Sequence, residues 1–443
     1  MIYCHRQTED ADIYFVANPA PAAVEARCTF RVDGKQPEFW DPETGRIEPA
    51  AVWEQTKDGT RVLIRLEWKG ALFVVFRRGT AGRGGVVRAS RNGQAVVSLR
   101  GPSNAAPAVV VKHAVYGALR TGSPIRDVTS VVRRYAREGR RWFPVHDVYP
   151  ATPGSADVLR VEYLWNGQSY TSEARNGELF YFAPSHVWKP PILDIGVSAK
   201  GKLRVTAFQA GRYRLDGASG GGVAIQVPLL PKPLEIPGPW VVNFAPGWGA
   251  PPEVVFAKLI SWTDHPDSGV RYFSGTAVYH GSFVVPARFR GPERRVFLDL
   301  GNVEVIAQVA LNGRNMGVLW KPPFRLDVTS WLRTGGNKLN IAVTNLWINR
   351  MIGDQYLPEG SDRNPNGTLK MWPQWLLEGK PIPTGRYSFT TNPLWHKDDP
   401  LVPSGLIGPV RLIVARTVLV GGDVDWVGPL PRACPGQVEG PRY

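Results

Sequence analysis

From Arg295 onward the chain reads RVFLDLGNVEVIAQVALNG, an alternation of apolar and polar residues that ends in Asn312-Gly313. A period of two puts one set of side chains on each face of a pleated strand. Asn-Gly is the dipeptide most suited to a two-residue hairpin. The partner strand resumes at MGVLW, and after DVTSWLRTGGN the stretch NKLNIAV alternates again. There Leu339, Ile341 and Val343 share one face, and Lys338, Asn340 and Ala342 the other. Such strands need a sheet with one buried face, and short turns make that sheet antiparallel. The 443 residues carry 47 glycines and 40 prolines, spread as turn punctuation between short strands. Nowhere does strand–helix–strand alternation appear, and a (β/α)₈ barrel needs about 250 residues of it. The expected fold class is therefore all-β, a series of tandem antiparallel β-sandwiches with no (β/α)₈ barrel.

The pattern divides the chain into units. Residues 1–78 hold strand-like DIYFVAN, AVEARCTFRV, RVLIRLEW and ALFVVFRR, and read as one β-sandwich. The glycine-rich TAGRGG, Thr80–Gly85, reads as a linker. Residues 86–230 form a second β-rich unit with one helix over 127–139. Val128, Val131, Val132 and Tyr135 fall at helical spacing there, Asp127 suits the start and Gly139 the end. The run Gly217–Gly222 lacks the GK[ST] of a phosphate cradle and reads as a hairpin turn. Residues 231–416 are the third unit, entered through the proline-rich PLLPKPLEIPGPW, and 417–443 is a weakly patterned tail.

The net charge is +15, densest in VVRRYAREGRRW from Val131 to Trp142. No nucleic-acid motif accompanies it, so a solvated arginine-rich face is expected and nucleic acid is not a predicted partner. No apolar run approaches the roughly 18 residues of a membrane span. Three cysteines, Cys4, Cys28 and Cys434, make no disulfide framework. The seven histidines show no zinc spacing. The start, MIYCHRQTEDADIYFVANP, has no signal-peptide pattern and opens in what reads as mid-domain sequence, as a chain truncated at its N-terminus would.

The stretch TNLWINRMIGD, Thr344–Asp354, poses the functional question. Asn345, Trp347, Asn349, Arg350 and Asp354 cluster where a strand stops. Amide, guanidinium and carboxylate groups beside an aromatic face suit the hydroxyls and C–H face of a sugar. The same residues suit a buried knot, with asparagines satisfying loop backbone, Arg350 paired to Asp354 at i+4, and Trp347 in the core. Trp262, Asp264 and His265 in SWTDHPDSG, with Trp372 and Trp375 in KMWPQWLL, complete the candidate substrate-contacting set. Asp264 and Asp267, flanking His265, are the best local pair for acid/base work, and equally read as caps of a polar turn. Asp354, Glu359 and Asp362 offer hard oxygens to a structural Ca²⁺, though without EF-hand spacing.

The run LNGRNMGVLWKPPFRLDVTSWLRTGGNKLNIAVTN resembles the sugar-binding jelly roll of glycoside hydrolase family 2 and its relatives. DADIYFVANP, CTFRVDGKQPEFWDPETGRI, SWTDHPDSGVRYFSGTAVY and TNLWINRMIGD, in that order, resemble the C-terminal half of bacterial α-L-rhamnosidases of glycoside hydrolase family 106. The resemblance spans most of residues 8–412. It implies a galactose-binding-like jelly roll at 231–416, a rhamnose-containing glycan as partner, and export to the periplasm or beyond. It also implies a catalytic barrel N-terminal to the sandwiches. The family's catalytic glutamates match no position here, so no catalytic or metal-ligating residue and no cofactor is assigned. Glycoside hydrolysis canonically needs two carboxyls about 5–9.5 Å apart. Three readings follow: the accessory half of a glycosidase with its barrel in a neighbouring chain, a free-standing lectin-like protein, or a docking module using Arg133, Arg134 and Arg137.

Overall fold

A computed structural model describes residues 1–20, 23–78, 84–100, 108–117, 125–149, 157–165, 167–182, 191–392 and 394–420. The linker Thr80–Arg83 and the tail from 421 lie outside the described residues. The chain is all-β, as its alternation demands. Among the described residues the longest α-helix, Thr129–Arg137, has 9 residues, and the strands pair into antiparallel sheets with no closed barrel. No described helix is long and apolar enough to cross a membrane. The chain forms two compact units, one of residues 1–229 joined by strand residues from Thr417, the other Leu230–Arg416.

In the first unit, Ala11–Ala17, Ala71–Arg77 and Pro37–Trp40 belong to a five-stranded sheet. It faces the three-stranded sheet of Val24–Phe30, Gly59–Leu66 and Trp53–Thr56. Tyr14, Val16, Val74 and Phe76 from one sheet meet Phe30, Val62 and Ile64 from the other in a single core, which makes the pair a sandwich. Cys28 is half buried at its margin, and burial pushes its thiol up. Further along, the glycine run turns Gly211–Gly217 into Gly222–Val227, with Asp216 opposite Gly222, as a hairpin.

The helix begins later than the spacing suggests. Thr129 Oγ1 accepts the Ala114 N–H, and Asp127 Oδ1 accepts the Thr129 N–H at 2.8 Å. Asp127 thus makes an Asx turn before the helix, and Val128 is the N-cap with no side-chain bond. Val132 and Tyr135 face the core against Val109–Gly117, and Gly139, at φ +77°, ends the helix. Arg133 donates to the Val111 and Lys112 carbonyls at 3.0 and 2.7 Å, so it is held by its own unit. Arg133, Arg134 and Arg137 all remain exposed on the helix.

The second unit carries the expected hairpin. Asn312 and Gly313 both adopt positive φ, +53° and +83°, between Ile306–Leu311 and Arg314–Leu319. One of its sheets has six strands, with Thr276–Val285 and Gly335–Thr344 at the centre. Leu339, Ile341 and Val343 are fully buried. They meet Val296, Leu298, Leu412 and Val414, from Arg294–Asp299 and Arg411–Val420 of the facing sheet. The strand Gly335–Thr344 ends at Thr344 and delivers the chain into the asparagine-rich stretch.

Candidate functional site

Beyond Thr344 the backbone loses its ladder, and side chains replace it. Asn345 Oδ1 accepts the Gly275 N–H at 2.9 Å, and its Nδ2 donates to the Phe273 carbonyl at 2.8 Å. A short helix, Ile348–Asp354, follows, with Trp347 at its N-cap. Asn349 Nδ2 donates to the Val402 carbonyl, and Asn349 Oδ1 accepts the Val402 N–H. Ser404 Oγ accepts from both asparagines, at 3.2 and 2.8 Å. Asp354 Oδ2 accepts from the Tyr387 N–H, the Ser388 N–H and the Ser388 hydroxyl. Asn345, Asn349, Arg350 and Asp354 are all buried. Each asparagine amide, and Asp354 Oδ2, therefore holds chain, and none of these is open to a ligand.

Arg350 is different. Its Nε lies 3.5 Å from Asp354 Oδ1, and neither atom has a hydrogen-bond partner. Its guanidinium lies over the Tyr387 ring, 4.7 Å from the centroid. Burial pulls it below the ordinary arginine value, opposed by Asp354, Tyr387 and Tyr272.

Trp347 does not enter the core. It is 46% exposed and meets Trp248 edge to face at 5.3 Å between centroids. Trp248 lies 6.2 Å from Tyr387. The result is an open aromatic wall above Arg350. Trp248 and Tyr387 were not in the sequence-derived set. The signal for Trp248 is its setting in APGWGAPP, a turn too rich in glycine and proline to bury an indole in a sheet.

Other candidates belong elsewhere. Trp262 is fully buried, its Nε1 donating to the Tyr279 hydroxyl at 2.6 Å. A Cβ on Gly405 would stand 2.5 Å from that Nε1, so Trp262 fills the core and presents no face to a sugar. Asp267 caps the helix Ser268–Arg271 by accepting the Val270 N–H. His265 Nδ1 accepts the Asp267 N–H, and its ring packs 5.2 Å from Phe256. Asp264 is exposed in the intervening turn. With Asp267 tied to the helix and the imidazole lone pair engaged, SWTDHPDSG holds a turn together.

Trp372 and Trp375 lie on the long excursion between Asp354 and Gly405. Trp375 Nε1 donates to the Gly360 carbonyl, and its ring packs against Phe389. Trp372 is exposed. A shallow pocket here is lined by Glu359, Arg363, Trp375, Arg386 and Phe389. Its arginines are engaged: Arg386 with Leu357 O and Glu359, Arg363 with the Gly367, Thr390 and Thr391 carbonyls and Glu359. The three carboxylates considered for Ca²⁺ do not converge. Asp354 and Glu359 have these other partners, and among the described residues no group of three His, Cys, Asp or Glu side chains suits a metal ion.

Comparisons with known proteins follow the same line. The fold is that of a tandem β-sandwich protein, and its similarities are to proteins related to glycoside hydrolases. Residues 1–54 match the family model of α-L-rhamnosidases, glycoside hydrolase family 106, so the resemblance read from the motifs holds. A provisionally named β-glucuronidase of Formosa agariphila is 30% identical across 93% of this chain and 42% of its own length. A solved rhamnosidase of Novosphingobium sp. PP1Y is 26% identical over 93% of this chain and 23% of its own, at a TM-score of 0.48. A β-glucuronidase of Bifidobacterium dentium covers 42% of this chain and 30% of its own at 24% identity, TM-score 0.28. The chain thus spans well under half the length of these relatives.

Proposed function

We propose that this chain is the carbohydrate-contacting β-sandwich portion of a glycoside hydrolase resembling an α-L-rhamnosidase, with the catalytic carboxylates supplied from outside the described residues. Within it, 1–78, 86–230 and 231–416 are structural modules, the last a galactose-binding-like jelly roll. The observation that carries this reading is the wall of Trp248, Trp347 and Tyr387, held open at the end of the unit's central strand. Exposed indoles beside a rigid, hydrogen-bonded loop offer a flat apolar face for the C–H side of a pyranose. The knot beneath makes that face rigid, so binding costs little ordering of the protein.

Calorimetric titration of the full chain with methyl α-L-rhamnoside and a rhamnose-containing polysaccharide tests it. Saturable binding that disappears in Trp347→Ala and Trp248→Ala, with the cooperative unfolding transition retained, is expected. Binding that survives both substitutions, or no binding to either probe, overturns the site.

A further inference from the structure

We infer that the saccharide site is extended: it takes a run of sugars that passes from the aromatic wall, along the helix Ile348–Asp354, to the shallow pocket that carries Gln355. This deepens the carbohydrate reading and rests on it. The helix buries Asn349, Arg350, Ile352, Gly353 and Asp354. Trp347, Met351 and Gln355 fall at every fourth position and share the side turned away from those residues. The Met351 N–H donates to the Trp347 carbonyl at 3.0 Å, which keeps Trp347 in helical register although it stands at the N-cap. At the helical rise, Trp347 and Gln355 are about 12 Å apart along the axis.

The two ends of this stripe have different surroundings. Trp347 belongs to the wall, whereas Met351 and Gln355 line the pocket together with Trp375 and Phe389. A second segment makes the same passage. Tyr387 stands in the wall, and Phe389, two residues on, lines the pocket. Asp354 Oδ2 fixes the backbone between them by accepting the Tyr387 and Ser388 N–H groups. Wall and pocket therefore share one helix side and one pinned loop, all within the unit Leu230–Arg416.

The groups left for a ligand in the pocket are uncharged. Arg363 and Arg386 already hold carbonyls and Glu359. The Gln355 amide and the Thr390 hydroxyl line the same space, and among the described residues neither makes a hydrogen bond. An amide and a hydroxyl each donate and accept, as the hydroxyls of a sugar do, and the Trp375 and Phe389 rings supply apolar surface beside them. Being shallow, the pocket receives one unit of a chain that continues past it, not an enclosed monosaccharide.

The test titrates the full chain with rhamnose-containing oligosaccharides of one to four residues, prepared by partial hydrolysis of the polysaccharide used above. Affinity is expected to rise at least about tenfold from one residue to four. Gln355→Met keeps the length of the side chain and removes its amide. It is expected to erase about tenfold of that gain and to leave the single-residue probe unaffected. Leu394→Ser, at a pocket residue 67% exposed, trims the apolar rim without touching the core and should erase a smaller part. Affinity that is independent of chain length overturns the extended site and leaves the wall standing. A length-dependent gain that both variants keep in full overturns it too, because the added sugars then rest elsewhere. An equal loss in Gln355→Met for every probe, the single residue included, overturns the separation of pocket from wall. If the parent binds none of the probes, the carbohydrate reading fails and the extended site with it.

Discussion

Asn349 and Val402 pair like two residues of a strand ladder, although one partner is a side chain. The Asn349 amide donates to the Val402 carbonyl at 2.7 Å and accepts the Val402 N–H at 2.8 Å. The two residues are 53 positions apart. This bond closes the excursion that follows Asp354 and brings it back to the strand Gly405–Gly408.

Asn349→Ala would leave the Val402 N–H without its partner and the Val402 carbonyl with the Ser404 hydroxyl alone, at a partly buried site. Losing two such bonds should destabilise the second unit by about 2–4 kcal/mol. Urea unfolding of the full chain, followed by tryptophan fluorescence, reads this as an earlier transition. A loss under about 0.5 kcal/mol, the ordinary range of surface substitutions, would mean that solvent replaces the bond.

Trp262, Tyr279 and Leu406 form a chain of buried bonds. The indole donates to the tyrosine hydroxyl at 2.6 Å, and that oxygen also accepts the Leu406 N–H at 3.0 Å. Tyr279→Phe leaves both donors unpartnered, at an expected cost of about 2–4 kcal/mol. Amide exchange at Leu406 should rise in the variant, and unchanged protection there would contradict the geometry.

Trp347 should behave in the opposite way. Its exposed ring touches Trp248 edge to face, a contact worth about 0.5–1.5 kcal/mol. Trp347→Ala is therefore expected to shift the unfolding midpoint far less than Asn349→Ala. An equal or larger shift would place the indole among the residues that hold the fold.

Glu359 supplies a pH dependence. Burial alone would raise its carboxyl, but the Ser361 hydroxyl, Arg386 and Arg363 outweigh this and hold it below the ordinary glutamate value. Its stabilising contribution is therefore present above that ordinary value and is lost as pH falls through the lowered one. The Trp375 indole N–H, bonded to the Gly360 carbonyl next to Glu359, should report the change in NMR spectra on acidification. In Glu359→Gln that step is expected to vanish, and its persistence would assign it to another group.

Much of the fold was legible because strand period and turn chemistry are local. Leu339, Ile341 and Val343 alternate into the core, and Asn312-Gly313 makes the turn its dihedral preferences require. The helix was visible from its spacing, but not its start, since Thr129 is engaged by Ala114, a residue 15 positions earlier. At the candidate site the sequence determined which chemical groups gather after Thr344. It did not determine which face inward. Trp262 and Trp347 are the same residue type in similar loop-like surroundings, yet one is sealed beneath Gly405 and the other stands open beside Trp248. Those neighbours are 143 and 99 positions away along the chain, so tertiary packing decided the outcome. Asn345 and Asn349 were drawn inward for the same reason, because the backbone they satisfy comes from Phe273, Gly275 and Val402. Tyr387 came to the site only because Asp354 binds its backbone N–H across 33 residues of loop, a bond no local pattern encodes.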